Sequence, residues 1–206
     1  MKPGLEDALK RIKSYSEELG LDLNKSEDRF KWLIASTLFA KRISSSIAKR
    51  TFEVFLERGL TSPEAILRAG WDELVNALDE GGYVRYDFST ATNILELVKA
   101  LLKKYGGVDG IHEASRTPEE LEARLMELRG VGPTAVNIFL RELRGVWSKA
   151  RPKVSDKALA VAQRLGLSLE EAERYESKLV RIHLELCKKR RCIECPVHAF
   201  CNSSYS

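Results

Sequence analysis

The stretch LRGVGPTA, residues 128–135, joins two segments of helical periodicity and decides the fold that we predict around it. Its glycines suit a tight turn with positive φ, and Pro133 suits the first turn of the helix that follows. Backbone N–H groups at such a helix start carry the positive end of the helix dipole and make a natural seat for a phosphate. The stretch is not a P-loop, because no Lys-Ser/Thr pair follows the glycines and no strand precedes them. It is therefore either a corner whose glycines serve packing alone or a helix-hairpin-helix that grips a DNA backbone without choosing its sequence.

Helical periodicity continues on both sides of this stretch, almost from end to end. Apolar residues recur at helical spacing in segments such as 5–12 and 30–38, and no segment alternates with strand period for long. Thr117-Pro118, and Ser168 with Glu171, are typical helix starts. We therefore predict an all-α protein of about ten helices joined by short loops.

Composition limits the classes of function. The chain has 206 residues, of which 44% are hydrophobic and 31% charged, which is ordinary for a soluble globular protein of one or two domains. No apolar run approaches the length needed to span a bilayer, and the charged, helix-patterned N-terminus is unlike a signal peptide. We therefore expect an intracellular, cytoplasmic protein with no membrane partner. The net charge of +4 permits nucleic acid as a partner without requiring it.

All four cysteines lie in the last twenty residues, with the spacing C-x4-C-x2-C-x5-C: Cys187, Cys192, Cys195 and Cys201. An intracellular protein uses clustered cysteines as metal ligands, whereas small secreted proteins spread disulfides along the chain. Structural zinc usually takes two separated C-x2-C pairs, and this chain has a single one. The spacing therefore favours one loop wrapped around a [4Fe–4S] cluster. Zinc is the first alternative, and disulfides or free thiols are less favoured than either metal centre.

The hairpin, a downstream aspartate and the cysteines, in that order, resemble the helix-hairpin-helix DNA glycosylase superfamily, in particular its endonuclease III branch with a C-terminal iron–sulfur loop. The resemblance spans nearly the whole chain. The matching segments are FKWLIASTLFA (30–40), Gly82-Tyr83 with Thr92-Asn93-Ile94, the stretch 128–135, Val154-Ser155-Asp156-Lys157 with RLGL (164–167), and the four cysteines.

The resemblance implies a two-domain, all-α endonuclease III-like fold. Residues 22–134 would form a six-helix barrel with the helix-hairpin-helix, and residues 1–21 with 135–206 a second helical domain that carries the iron–sulfur loop, 187–201. Double-stranded DNA with a damaged or mismatched base would lie across the cleft between them, with the target base flipped out of the stack. The protein would act as a monomer associated with the nucleoid.

The resemblance makes Asp156 the catalytic residue. Breaking an N-glycosidic bond builds positive charge on the sugar, and a fixed carboxylate can stabilise that charge and orient or deprotonate the attacking water. A count back from Arg164 without a gap places Ser155 there instead, but no serine can do this work. The alternative for Asp156 is that it only caps the helix that begins near it.

Thr134 departs from the family pattern. Bifunctional members carry a lysine at this place, and that lysine attacks the sugar and allows strand cleavage through a Schiff base. Without it, a water should be the nucleophile and the product an intact abasic site. The rival is a bifunctional glycosylase with abasic-site lyase activity that uses another lysine, for which the candidates are Lys41, Lys153 and Lys157.

The resemblance also implies contacts to DNA. They would come from the hairpin, through Arg129, Gly130, Val131, Gly132 and Thr134, and from a basic run held between two cysteines, Lys188, Lys189, Arg190 and Arg191. That four-residue gap is shorter than is usual in the family, although a cluster should still close. A charge run is otherwise merely a solvated surface.

Other residues have two interpretations each. Lys41 falls where relatives place a residue that probes the gap left by the flipped base, or it is a solvated lysine at a helix end. Tyr83, Arg85 and Tyr86 could line the lesion pocket or stack on DNA, or else be a core tyrosine and a surface arginine. We expect structural roles for His183, His198, Trp32 and Trp147.

Two rivals from other classes remain. Helix-hairpin-helix elements also occur in proteins that bind DNA without catalysis. A catalytic role for Asp156 would distinguish an enzyme from such a DNA-binding protein. The cysteines alone would suit an electron-transfer protein, although the ferredoxin spacing is absent. The sequence does not identify the base that is removed.

Overall fold

The computed structural model describes residues 1–202, in which helices are the only regular secondary structure and no strand occurs. This confirms the all-α prediction for the described residues. The last four residues of the chain, 203–206, lie outside the described part. The α-helices are α1 Leu5–Arg11, α2 Tyr15–Glu18, α3 Ser26–Phe39, α4 Ser45–Glu57, α5 Pro63–Glu80, α6 Asp87–Tyr105, α7 Val108–Ala114, α8 Pro118–Met126, α9 Pro133–Arg141, α10 Asp156–Leu165, α11 Leu169–Arg174 and α12 Glu176–Ile182. A π-helical turn, His183–Cys187, and a 3₁₀ turn, His198–Phe200, follow. None of the described helices has the length and apolar character required to cross a membrane.

The chain forms two compact units. The hairpin unit is Leu19–Pro152, and the terminal unit is Met1–Glu18 with the chain from Lys153 onward. The second boundary differs from the predicted one after residue 134, because α9 packs against α3 inside the hairpin unit. Trp32 Nε1 donates a hydrogen bond to the carbonyl oxygen of Phe139 at 3.3 Å, and both side chains are fully buried.

The core of the hairpin unit is built from the apolar faces of α3 to α9. Trp147 is buried, with its ring stacked on His112 and in an edge-to-face arrangement with Phe139. The packing roles predicted for Trp32 and Trp147 are therefore confirmed. Gly70 interrupts α5 with φ of 78°, a left-handed conformation that glycine adopts without strain, so α5 is kinked at this residue.

One helix of the hairpin unit was not predicted. Helix α7 has only Val108 and Ile111 buried, which is too few apolar positions to show a helical period. It is held by tertiary contact instead, because Asp109 accepts hydrogen bonds from Arg29, with Nε at 2.6 Å from Oδ1. Burial alone would raise the pKa of Asp109, but the bonds from Arg29 and Ser26 outweigh burial and lower it.

The terminal unit joins both chain ends around one core. Leu5 and Leu9 of α1 pack with Ala158, Leu165 and Leu179 of the C-terminal helices. Polar contacts add to this: Tyr15 donates a hydrogen bond to Glu185 at 3.0 Å, and Arg181 pairs with Glu18 at 2.9 Å. The helix start predicted from Ser168 and Glu171 is present as the capping box of α11. The helical segment that follows breaks at Tyr175 and ends in the π-helical turn.

Candidate functional site

The predicted hairpin joins α8 and α9, and Gly130 is the residue that makes its turn possible. Its φ is +81°, and a Cβ built there would lie 2.8 Å from Asn93 Cβ on α6. Both the backbone conformation and the close approach therefore exclude a larger side chain. The turn is anchored by Val131, which is 4% exposed and donates its backbone N–H to the Leu128 carbonyl oxygen at 3.1 Å.

Gly132 differs from Gly130 in both its backbone conformation and its surroundings. It is the N-cap of α9 with an ordinary φ of −99°, and nothing lies within 4 Å of a Cβ built on it. No side chain caps α9, whose first helical residue is Pro133. The backbone donors of the first turn are therefore left for a ligand, at the positive end of the helix dipole.

An open groove of about 510 Å³ lies along this hairpin. Its walls are residues 126–135 together with Ala40 and Lys41, so the structure brings Lys41, Thr134 and the hairpin backbone together. The Lys41 side chain forms no hydrogen bond or ion pair with any described residue. Arg129 donates from Nε to Asn93 Oδ1 at 3.2 Å, which ties the hairpin to α6. Sequence analysis missed this role of Asn93, since a single amide in a helix gives no signal of what it will meet.

The aromatic segment after α5 does not form a pocket as a whole. Tyr83 is 1% exposed and donates its hydroxyl hydrogen to the Leu38 carbonyl oxygen at 2.9 Å, and burial raises the pKa of its phenol. The contact to a lesion considered for Tyr83 therefore does not fit, and the alternative of a core tyrosine does. Arg85 is exposed, and its guanidinium lies 5.5 Å from the centre of the Tyr86 ring. Arg85 is therefore a surface arginine stacked on an aromatic ring.

Asp156 is the first residue of α10, and its carboxylate is exposed. It forms no hydrogen bond or ion pair with a described residue, so the capping role weighed for it is not present. Ser155 occupies the N-cap position instead, but its hydroxyl is buried and bonds to nothing in the described part of the chain. Beside Asp156 runs a second open groove of about 530 Å³, lined by α10 and α11 within the terminal unit.

The four cysteines are half-buried and free of disulfides. Three of them, Cys187, Cys195 and Cys201, pack against the core of the terminal unit. Burial raises the pKa of the Cys187 and Cys195 thiols, and the neighbouring cysteines raise both further. In residues 1–202 no three ligating side chains stand close enough together to hold a single metal ion. The donor set, four soft thiols on one loop, fits an iron–sulfur cluster or zinc by its chemistry.

The basic run between Cys187 and Cys192 is exposed but not uniformly available. Arg191 binds Glu194, with Nε 2.7 Å from Oε1, so its charge is compensated. Lys188, Lys189 and Arg190 form no ion pair with a described residue. Arg190 has φ of +55°, an uncommon conformation for a residue other than glycine, in a turn closed by its N–H to the Cys187 carbonyl oxygen at 3.1 Å.

The structure thus gathers the predicted residues into two groups, the hairpin groove with Lys41 in one unit and Asp156 with the cysteine loop in the other. Comparison with known proteins adds no further constraint. A scan against protein-family models finds no match for this chain, and a search among curated proteins finds none.

Proposed function

We propose that this protein is a DNA glycosylase that hydrolyses the N-glycosidic bond of a flipped, damaged or mismatched base in duplex DNA. The observation that carries the proposal is the hairpin. Its turn depends on Gly130. Within residues 1–202, no side chain caps the donors at the start of α9, and Lys41 borders the same groove without a salt bridge. Such an arrangement suits the phosphates of a DNA strand, which bind to helix N-termini and to unpaired lysines.

The chemistry is assigned to Asp156. An exposed carboxylate with no partner among the described residues is available to a ligand, whereas a capping carboxylate would already be engaged. Facing a sugar that loses its base, it would stabilise the developing positive charge and orient the attacking water. Thr134 has no amine, so the hairpin itself supplies no nucleophile for a Schiff base, and hydrolysis by water follows.

The cysteines would hold the metal centre. Cys187, Cys192, Cys195 and Cys201 would bind a [4Fe–4S] cluster, whose iron–thiolate bonds would order the loop. The loop would in turn present Lys188, Lys189 and Arg190 as phosphate contacts. These cations lack ion-pair partners among residues 1–202, which supports this role for them and not for Arg191.

The test is a panel of duplex oligonucleotides, each with one lesion: uracil or thymine opposite guanine, an oxidised pyrimidine, an oxidised guanine or an alkylated purine. Single-turnover base release is scored before and after alkali, because an intact abasic site breaks only in alkali. We expect Asp156→Asn to slow base release about 10³-fold while duplex affinity is kept. Ser155→Ala is the matched control, since the Ser155 hydroxyl bonds to no described residue. Base release that survives in Asp156→Asn would contradict the mechanism.

Lys41 favours one second candidate, a bifunctional glycosylase and abasic-site lyase. Its amine lies in the same groove as Thr134 and has no salt bridge with a described residue. Borohydride reduction of a reacting complex traps a Schiff base covalently. A trapped complex that disappears in Lys41→Ala would replace the hydrolytic mechanism with this one, and wild-type protein that gives no trapped complex would exclude it.

A further inference from the structure

Glu176 is a buried carboxylate that the mechanism above does not use. It is the first residue of α12, and its side chain is 1% exposed. Glutamate is almost never this buried unless its charge is satisfied by a partner. The burial of Glu176 therefore has to be explained by what its oxygens bind.

One of its oxygens binds the backbone that carries Asp156. Glu176 Oε1 accepts the Ser155 N–H at 2.9 Å, across 21 residues of chain. Ser155 directly precedes Asp156, and the flanking residues Val154 and Ala158 are buried in the core of the terminal unit. The backbone at Asp156 is thus held by packing on both sides and by a charge-assisted hydrogen bond between them.

The start of α11 shows what is unusual in this arrangement. There, Glu171 lies within the helix that it caps and accepts the N-cap Ser168 N–H at 2.8 Å, a local capping box. At α10 the corresponding third helical residue is Ala158, and the acceptor comes from α12 instead. As a consequence, α10 begins without engaging Asp156, whose carboxylate stays free to meet a ligand while its backbone is fixed from elsewhere in the fold.

We propose that Glu176 is a positioning residue for Asp156, an inference that rests on the proposed function. Its carboxylate sets the backbone at Ser155 and thereby the place of the Asp156 carboxylate, and it does not contact DNA. Loss of the bond lets the start of α10 shift. A misplacement of about 1 Å in a reacting group lowers a rate about 10²-fold without a matching loss of binding.

The experiment compares Glu176→Ala, Glu176→Gln and Glu171→Ala. Glu176→Ala should slow single-turnover base release about 10- to 100-fold at unchanged duplex Kd. Glu176→Gln keeps an acceptor oxygen at the same place and should recover most of the rate. Glu171→Ala removes the same kind of bond from another helix of the same unit and should leave the rate unchanged. All are assayed well below their unfolding temperatures.

A second readout does not depend on activity. Hydrogen exchange of the Ser155 amide, followed by NMR, should be faster in Glu176→Ala than in wild type and near wild type in Glu176→Gln. Wild-type rate with unchanged Ser155 protection in Glu176→Ala would overturn the inference, as would a Gln variant as slow as the Ala variant. If wild-type protein releases no base from any duplex, the proposed function fails, and the exchange of Ser155 alone decides whether Glu176 anchors this backbone.

Discussion

The hairpin and the cysteine loop are both short irregular segments, yet they are ordered in different ways. In the hairpin, Leu128 and Val131 are almost completely buried, and Gly130 lies against Asn93. Across residues 188–201 of the cysteine loop, Val197 is the one buried residue, and Ile193 is 94% exposed. Packing therefore holds the hairpin by itself, whereas the cysteine loop has little apolar burial to offset the entropy of ordering it.

This difference indicates what each segment needs from outside the chain. The hairpin is ordered before anything binds, which would lower the cost of binding the rigid duplex that we propose as its ligand. The cysteine loop carries four free thiols, and in residues 1–202 no three ligating side chains stand close enough together to hold a single metal ion. Where a bound metal centre closes a loop, the free energy of ligation is folding free energy. Each prediction below tests one side of this contrast.

The largest effect is expected from Cys195→Ser. If ligation orders the loop, loss of one thiolate removes the iron and destabilises the terminal unit, since structural metal sites contribute on the order of 10 kcal/mol. Iron content, visible absorbance and thermal unfolding measure this. His198→Ala is the matched control. The side chain of His198 in the same loop is exposed, which does not fit the structural role expected from the sequence, so the change should alter none of these measurements. A Cys195→Ser protein that keeps its iron and its unfolding temperature would show that the loop does not depend on ligation.

A smaller effect, within the hairpin unit, is expected from the pair Gly130→Ala and Gly132→Ala. Alanine at Gly130 meets both a positive φ and the side chain of Asn93, so we expect it to lower the free energy of unfolding by about 2 kcal/mol or more. Alanine at Gly132 has open space and an ordinary φ and should change stability by less than about 0.5 kcal/mol. Urea unfolding measures both.

The same two variants distinguish an effect on folding stability from an effect on DNA binding. A methyl group at Gly132 projects where the phosphate would approach the start of α9, so this stable variant should bind duplex DNA several-fold more weakly than wild type does. Equal stability losses in the two variants would mean that the hairpin is not held by the contact between Gly130 and Asn93. Unchanged duplex affinity in Gly132→Ala would show that no phosphate binds at this position.

Local chemistry explains which features could be predicted. The turn at 128–135 and the capping box of Ser168 and Glu171 each depend on residues within a few positions of one another, so the sequence contains the whole cause. The burial of Tyr83, the hydrogen bond from the Ser155 N–H to Glu176 and the boundary at Pro152 depend on partners far along the chain. No local pattern encodes such partners. For that reason the sequence left Tyr83 open between a lesion contact and a core position, and the boundary predicted after residue 134 differs from the one at Pro152.

The smallest effect is expected in the salt dependence of duplex binding, which tests whether the hairpin or the cysteine loop contacts phosphates. Each lysine that neutralises one phosphate contributes about 1 to the slope of log Kobs against log salt concentration. Lys41 and Lys189 form no ion pair with a described residue, whereas Lys99 on α6 pairs with Glu96 at 3.1 Å and serves as the control. We expect Lys41→Ala and Lys189→Ala each to lower the magnitude of the slope by about 1, and Lys99→Ala to leave it unchanged.

Iron content decides how the two slopes are interpreted. In protein freed of iron by a chelator, the loop should lose its order and Lys189→Ala should no longer change the slope, because a mobile lysine no longer holds one phosphate. Lys41→Ala should lower the slope with or without iron, since packing alone orders the hairpin that it borders. If Lys189→Ala has the same effect in both preparations, the loop presents its charges without a metal centre, and the contrast between the two segments does not extend to DNA binding.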